Sequence, residues 1–379
     1  MPAERTTACD VCVVGGGIAG LSVAAELAPR LRVVLLEREP SLAWHATGRS
    51  AALFAPAYGN SVIRALTRAS RAALEAGEDG GEATVLAPRG ELLVARPGQR
   101  PSLERLAETL SATGQAFEIL DGARLRERVP VLAPSITAGL YDPAACDIDS
   151  AALVERYRRR LAARGGEILR RAEVLSLDRR SGGFSVGTAG GAVECAVVVN
   201  AAGAWADTLA GLAGLPPLGL TPHRRSAATL DLPPGIDARG WPCVIDADEA
   251  FYFKPDAGRL LVSAAEEVPS PPVDASPEEL ETATAVDRLE RATTLTVQRI
   301  AARWAGLRTF APDRSPVIGF DPRLEGFFWL AGQGGYGLQT APAAAACAAA
   351  LVRGDPPPGW VAAEGVGPGD LSPRRLLGP

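Results

Sequence analysis

Residues 11–20 read Val11-Cys12-Val13-Val14-Gly15-Gly16-Gly17-Ile18-Ala19-Gly20, and residues 33–37 read Val33-Val34-Leu35-Leu36-Glu37. A short apolar run, a glycine turn, an apolar helix over Leu21–Leu27 closed by Pro29, and a second apolar run make a strand–turn–helix–strand start. Parallel strands joined in this way indicate a doubly wound α/β domain. Gly15 permits the tight turn, Gly17 lets a pyrophosphate approach the backbone, and Gly20 lets helix and strand pack closely. The helix start offers free N–H groups and a positive dipole end to phosphates. Glu37, 22 residues after Gly15, ends the second strand, where a carboxylate can accept both ribose hydroxyls. The stretch therefore predicts a dinucleotide site.

The fingerprint serves FAD and NAD alike, and three later segments favour FAD. Thr47-Gly48-Arg49-Ser50-Ala51-Ala52 supplies small residues for close backbone approach to a flavin. Val197–Val199 is a buried strand running into the small-residue turn Asn200-Ala201-Ala202-Gly203-Ala204-Trp205. Gly332–Thr340 is a second glycine-rich turn before a helix, whose start can stabilise negative charge on a reduced flavin.

These segments together resemble the glycine oxidase/D-amino acid oxidase superfamily of flavoenzymes, and within it the bacterial D-arginine dehydrogenases. The likeness runs over nearly the whole chain. It is carried by His45–Ala52, Ala57-Tyr58-Gly59, Asp147-Ile148-Asp149, Asn200–Trp205, Arg224-Arg225-Ser226-Ala227, Phe251–Gly258, Trp304–Arg308, Gln333–Gly337 and Leu371–Arg375. The resemblance implies a Rossmann-like α/β FAD-binding domain, assembled from residues 1–89, 147–209 and 302–379. Interleaved with it is a smaller α+β substrate domain, residues 90–146 and 210–301, on a mixed antiparallel sheet. The resemblance places at the cofactor Gly15, Gly17, Ile18, Ala19, Gly20, Glu37, Arg38, Thr47, Gly48, Arg49, Ser50, Ala51, Val174, Ala202, Gly203 and Trp205, with Gly334, Gly335, Tyr336, Gly337, Gln339 and Thr340.

An amino acid bound over the flavin is implied as well. Arg308 and Arg225 would grip its carboxylate with the bidentate geometry of arginine. Tyr252 and Tyr58 would add hydroxyl contacts, and the Gly335 backbone would hold the amine. Glu91 matches the acidic residue that meets a guanidinium in that family, and Glu249 a second acidic group. Arg308 stands in the apolar strand Trp304–Phe310, where a buried charge needs a partner. Leu53 replaces a histidine of the D-arginine enzymes, and Phe54 and Ala55 replace hydroxyl residues, so the pocket could favour apolar D-amino acids. Glu91 favours basic ones, and both remain open.

The implied reaction is oxidative deamination of a D-amino acid, by hydride transfer from Cα to flavin N5, giving an imino acid that hydrolyses to a 2-oxo acid and ammonia. The acceptor that reoxidises the flavin, whether oxygen, a quinone or a carrier protein, is not written in the sequence. Alternatives are a glycine, sarcosine or D-proline type of amine oxidase, or, in another class, an NAD(P)-binding dehydrogenase or a non-catalytic nucleotide-binding subunit.

Composition narrows the field. A net charge of −5 over 379 residues gives no basic footprint for nucleic acid. Two histidines, His45 and His223, exclude a His-rich metal site. Cys9 and Cys12 have redox or metal spacing, but on one strand they would point to opposite faces, so a core role is expected. No run is long enough to span a membrane; Ala341–Val352 is short and followed by Arg353, and a cytoplasmic enzyme is expected. Further along, Ser276-Pro277-Glu278-Glu279 reads as a capping box opening a helix towards Ile300. The Pro/Gly-rich tail after Gly354 reads as low-complexity.

Overall fold

In a computed structural model of the chain, residues 5–76 and 84–378 are described. Five parallel strands and one antiparallel strand form the first sheet, in the order Glu167–Arg170, Val33–Glu37, Val11–Val14, Val197–Asn200, Phe327–Ala331 and Val317–Phe320. The strands Val11–Val14, Val33–Glu37 and Phe327–Ala331 are apolar runs because both faces are covered, as parallel sheets require. Helices Ile18–Leu27, Ser150–Ala163 and Gly337–Val352 cover one face through a core that includes Leu21, Leu35, Leu153 and Phe328. The other face packs Cys12, Val34 and Trp329 against a four-stranded sheet and helix Ala206–Leu212.

The second sheet has ten strands. Along it run Gln333–Gly334, Ile300–Phe310, Thr221–Leu230, Arg259–Ser263, Tyr252–Asp256, Cys243–Asp246, Glu91–Ala95, Ala138–Asp142 and Glu118–Asp121, with Val268–Pro269 paired to Thr221–Leu230. All its pairings are antiparallel except Cys243–Asp246 with Glu91–Ala95. Helix Glu279–Ala292 backs one face through Phe253, Val262, Ala285 and Leu289. Residues two apart on a strand share a face, so the opposite face carries Tyr252, Lys254, Glu91 and Leu93. The strand Ile300–Phe310 runs across the expected boundary at 302 and pairs along its length in this large sheet.

Three local expectations are corrected. The helix expected to run from Pro277 towards Ile300 spans Glu279–Ala292, and its capping box is formed by Glu278 and Glu281, not by Ser276 and Glu279. Three carboxylates, of Glu278, Glu279 and Glu281, thus stand at its positive end. Cys9 precedes its strand instead of lying in it, and Cys9 and Cys12 both pack on Cys195 in one core cluster. The tail after Gly354 folds into helical turns at Gly359–Ala362, Pro368–Leu371 and Pro373–Leu376, anchored by buried Val361 and Leu371. Among the described residues, no helix is long and apolar enough to cross a membrane.

Candidate functional site

The strands Val11–Val14 and Val197–Asn200 lie side by side, and their carboxyl ends open a crevice between the turns at Gly15 and Ala201. Gly15 has φ +114°, and a Cβ there would stand 2.3 Å from the Ala201 carbonyl oxygen. A Cβ on Gly20 would stand 1.8 Å from the Gly15 carbonyl oxygen, so helix and turn touch backbone to backbone. A Cβ on Gly17 would meet only Thr47 Oγ1, at 3.2 Å, and otherwise open cleft. This is a helix start bared for an anion, and no acidic residue stands in its first turn.

Two side chains from later segments fix the turn. Thr47 Oγ1 accepts the Ile18 N–H at 3.0 Å. The Glu37 carboxylate accepts the Gly16 N–H at 2.7 Å and the Glu39 N–H at 2.8 Å, and lies 8% exposed on the cleft wall. Two acceptor positions per oxygen leave this carboxylate free to receive hydroxyls as well. Further along the cleft, the Arg38 guanidinium lies 3.9 Å from the Trp205 ring centroid, and His45 packs beside that ring at 4.8 Å. Val174, Ala202 and Gly203 complete this end. The whole cleft encloses about 1800 Å³ of empty space, open solvent included. The bared helix start, the glycines whose side chains would fill the cradle, and Glu37 at the second strand end together fit a dinucleotide.

At the other end the cleft is walled by the large sheet through Arg225, Ala227, Tyr252, Gly306 and Arg308, and by the turn Gln333–Gly335. Burial works against the Arg308 charge, but the surrounding hydroxyls of Tyr58, Tyr252 and Tyr336 more than offset it and raise its pKa. No carboxylate among the described residues pairs with Arg308; Glu249 and Glu267 lie further off. Arg225 differs. Its Nε donates to the Glu266 carbonyl at 2.7 Å, and its Nη2 lies 3.2 Å from Glu267 Oε1. Arg314 Nη2 reaches the same oxygen at 2.9 Å. The two arginines expected to act together are thus in different states: Arg225 is paired with a carboxylate, and Arg308, among the described residues, is not.

Tyr58, Glu91 and Glu249 line a second cavity, of about 1160 Å³ with open solvent included, together with Arg64, Leu93 and Ile245. Tyr58 stands between this chamber and Arg308. Glu91 is 2% exposed, and its Oε2 has no hydrogen-bond partner. Burial, with Asp142 and Glu249 nearby, pushes its carboxyl up to about 8. The sheet register explains why no cation relieves it. Asp142 and Cys243 flank Glu91 on the two neighbouring strands, and Lys254, beyond Cys243, is paired to Asp147.

Several residues named with the cofactor do not line the cleft and serve as packing, which for Gly20 is the role its place in the turn implies. Gly20 and Gly48 are small because the Gly15 and Ala43 carbonyl oxygens press on them. Gln339 is buried, accepting the Ala55 N–H and donating to Thr67 Oγ1, and Thr340 donates to the Tyr336 carbonyl. Tyr336 packs between Tyr58 and Phe310. Arg49 lines the cleft, but its guanidinium holds Asp274 and the carbonyls of Ala275 and Ala305. Ile18, Ala19, Ser50, Ala51, Gly334, Gly335 and Gly337 line the cleft. Sequence reasoning missed Ala43, Ala46, Thr208 and Gly306 as lining residues. Ala46 and Gly306 carried a signal, since they fall in the resemblance segments His45–Ala52 and Trp304–Arg308.

The sequence matches the FAD dependent oxidoreductase family, DAO, over residues 10–351. It is 27% identical over 348 residues to the pyruvate dehydrogenase phosphatase regulatory subunit of Mus musculus, covering 87% of this chain and 39% of that protein. It is 30% identical over 221 residues to L-2-hydroxyglutarate dehydrogenase of Salmonella houtenae, covering 55% of this chain and 50% of that protein. The chain thus spans half or less of the length of these curated relatives. The fold is similar to glycine oxidase from Geobacillus kaustophilus, with a TM-score of 0.81 at 23% identity, over 92% of this chain and 95% of that one.

Proposed function

Since this chain belongs to the FAD dependent oxidoreductase family and FAD is its cofactor, we propose that it oxidises the Cα–N bond of a small amino acid, a D-amino acid in the first instance. The observation that carries this reading is Arg308, a guanidinium on the cleft wall beside Tyr58, Tyr252 and Tyr336 and, among the described residues, without a carboxylate of its own. A substrate carboxylate supplies the missing partner, and a fixed clamp turns a two-body encounter into an oriented one. In this reading Gly15, Gly17, Thr47 and Glu37 hold the dinucleotide, Arg308 with Tyr58 and Tyr252 holds the acid end, and the Gly335 backbone receives the amine. Glu91 and Glu249 stand in the chamber that takes the side chain.

When bound, FAD supplies a two-electron acceptor for the hydride that leaves Cα. The residues around the clamp supply placement: as the hydride leaves Cα and a proton leaves the nitrogen, the amine becomes an imine, which water hydrolyses to a 2-oxo acid and ammonia. Glu91, neutral near pH 7, hydrogen-bonds a polar side chain, and in its ionised form meets a basic one such as that of D-arginine. Glycine oxidase, similar in fold, is in keeping with a smaller amine as the runner-up.

The test is anaerobic bleaching of the purified flavoprotein against D-amino acids, L-amino acids, glycine, sarcosine and 2-hydroxy acids. Bleaching by D-amino acids, with KM raised about a hundredfold or more in Arg308→Ala, is the expected result. Bleaching by 2-hydroxy acids alone, or unchanged kinetics in Arg308→Ala, overturns it.

A further inference from the structure

Two resemblance segments, Asp147–Asp149 and the Phe251–Gly258 strand beyond Tyr252, take no part in the site above, yet they meet in space. Lys254 Nζ lies 2.7 Å from Asp147 Oδ1. Arg89 holds the other oxygen, with Nε 2.7 Å and Nη2 2.6 Å from Asp147 Oδ2. Arg89 Nη1 in turn donates to the carbonyls of Arg239 at 2.8 Å and Trp241 at 3.1 Å. Lys254, the sole lysine of the sequence, is 5% exposed.

The position of this cluster gives it a role beyond cohesion. Lys254 follows Tyr252 by two residues on one strand, so both side chains leave the same face of the large sheet. Asp147 pairs in register with Leu53, which directly follows the cleft-lining run Ser50–Ala51 and Ala52, held at φ +53°. The ion pair therefore joins the strand carrying Tyr252 to Cys146–Ile148, the direct sheet neighbour of the strand Leu53–Phe54 that leaves the cofactor loop. Buried pairs contribute little net stability compared with apolar packing, but they impose one geometry.

We propose that Lys254 and Asp147, braced by Arg89, are positioning residues that fix the gap between the Tyr252 wall and the Ser50–Ala51 wall of the cleft, and so set the side-chain length the site accepts. The inference rests on the reading of the cleft as a carboxylate-binding site beside FAD. It does not need the reaction to be a deamination.

The test uses the FAD-loaded protein and straight-chain carboxylates from acetate to hexanoate, with each Kd read from the perturbation of the flavin absorption band. Lys254→Met leaves Asp147 with Arg89, so no carboxylate is stranded; Lys254→Arg and Asp147→Asn are the companion variants should it fail to fold. The expected result is a change of about tenfold or more in the hexanoate-to-acetate Kd ratio, with acetate itself moved less than about threefold. A uniform shift across the series, or a lower Tm with the ratio unmoved, overturns the proposal, as does a wild-type protein whose spectrum no carboxylate perturbs. A changed ratio in a protein that no amino acid bleaches supports this inference and sinks the deamination reading alone.

Discussion

A methyl group on Gly335 would stand 2.8 Å from Cζ of Arg308. The turn that precedes the last long helix and the Arg308 guanidinium therefore fit only because position 335 has no side chain. The obstructing atoms are the far end of a flexible arginine, so Gly335→Ala should fold normally and displace the guanidinium. KM for the substrate, or Kd for a carboxylate, is expected to rise by about tenfold or more, while FAD content and Tm stay near wild type. Steady-state kinetics with a flavin-to-protein ratio check this; unchanged KM would separate Gly335 from the clamp.

Glu91 makes stability depend on pH. Its carboxyl is pushed from 4.5 up to about 8 in the folded chain, by burial first and then by Asp142 and Glu249. Between those values the folded chain keeps a proton that the unfolded chain has released. Its stabilising contribution is full below about pH 4.5 and lost as pH rises to about 8. Glu91→Gln cannot ionise, so its stability advantage over wild type should grow from pH 5 to pH 8 and level off above, reaching on the order of a few kcal/mol. Urea unfolding at four pH values measures this, and a pH-independent difference would contradict it.

Gly20→Ala tests the cofactor cradle. Its Cβ would strike the Gly15 carbonyl oxygen, and backbone cannot swing aside as Arg308 can. A cost of about 1–3 kcal/mol and a weakened hold on FAD are expected, visible as a lower Tm and a colourless fraction on gel filtration. Full FAD occupancy with unchanged Tm would show that the turn yields.

Glu267 draws Arg225 and Arg314 to one oxygen. Glu267→Gln removes the competing charge, leaving Arg225 with the Glu266 carbonyl and free to share in an anion clamp. If Arg225 takes part in binding, carboxylate affinity should rise by about two- to tenfold, most clearly at low salt. Weaker binding would instead make Glu267 a brace for Arg225.

The N-terminal half of the site was legible because the chemistry there is local. A glycine turn between an apolar strand and a helix, and a carboxylate at the end of the next strand, specify backbone geometry within 27 residues, from Val11 to Glu37. Arg308 was legible for another reason, a charge inside an apolar strand. The tie between Thr47 and Ile18 was not, because it spans 29 positions and no local rule relates them. Nor was the packing role of Gln339, whose buried partners lie 272 and 284 positions away.

The sequence by itself determined the doubly wound nucleotide half, the residue types of the cradle and the presence of a buried cation needing an anion, since strand period, turn chemistry and burial of charge are short-range constraints. Only the tertiary structure decided that Arg225 is already paired while Arg308 is not, and that Tyr58, Glu91 and Glu249 line a chamber apart from the cofactor cleft. It also set Lys254 on Asp147 instead of on Glu91. These outcomes depend on which distant strands become neighbours in the large sheet, and cross-strand register is fixed by the packing of the whole sheet, not by any one segment.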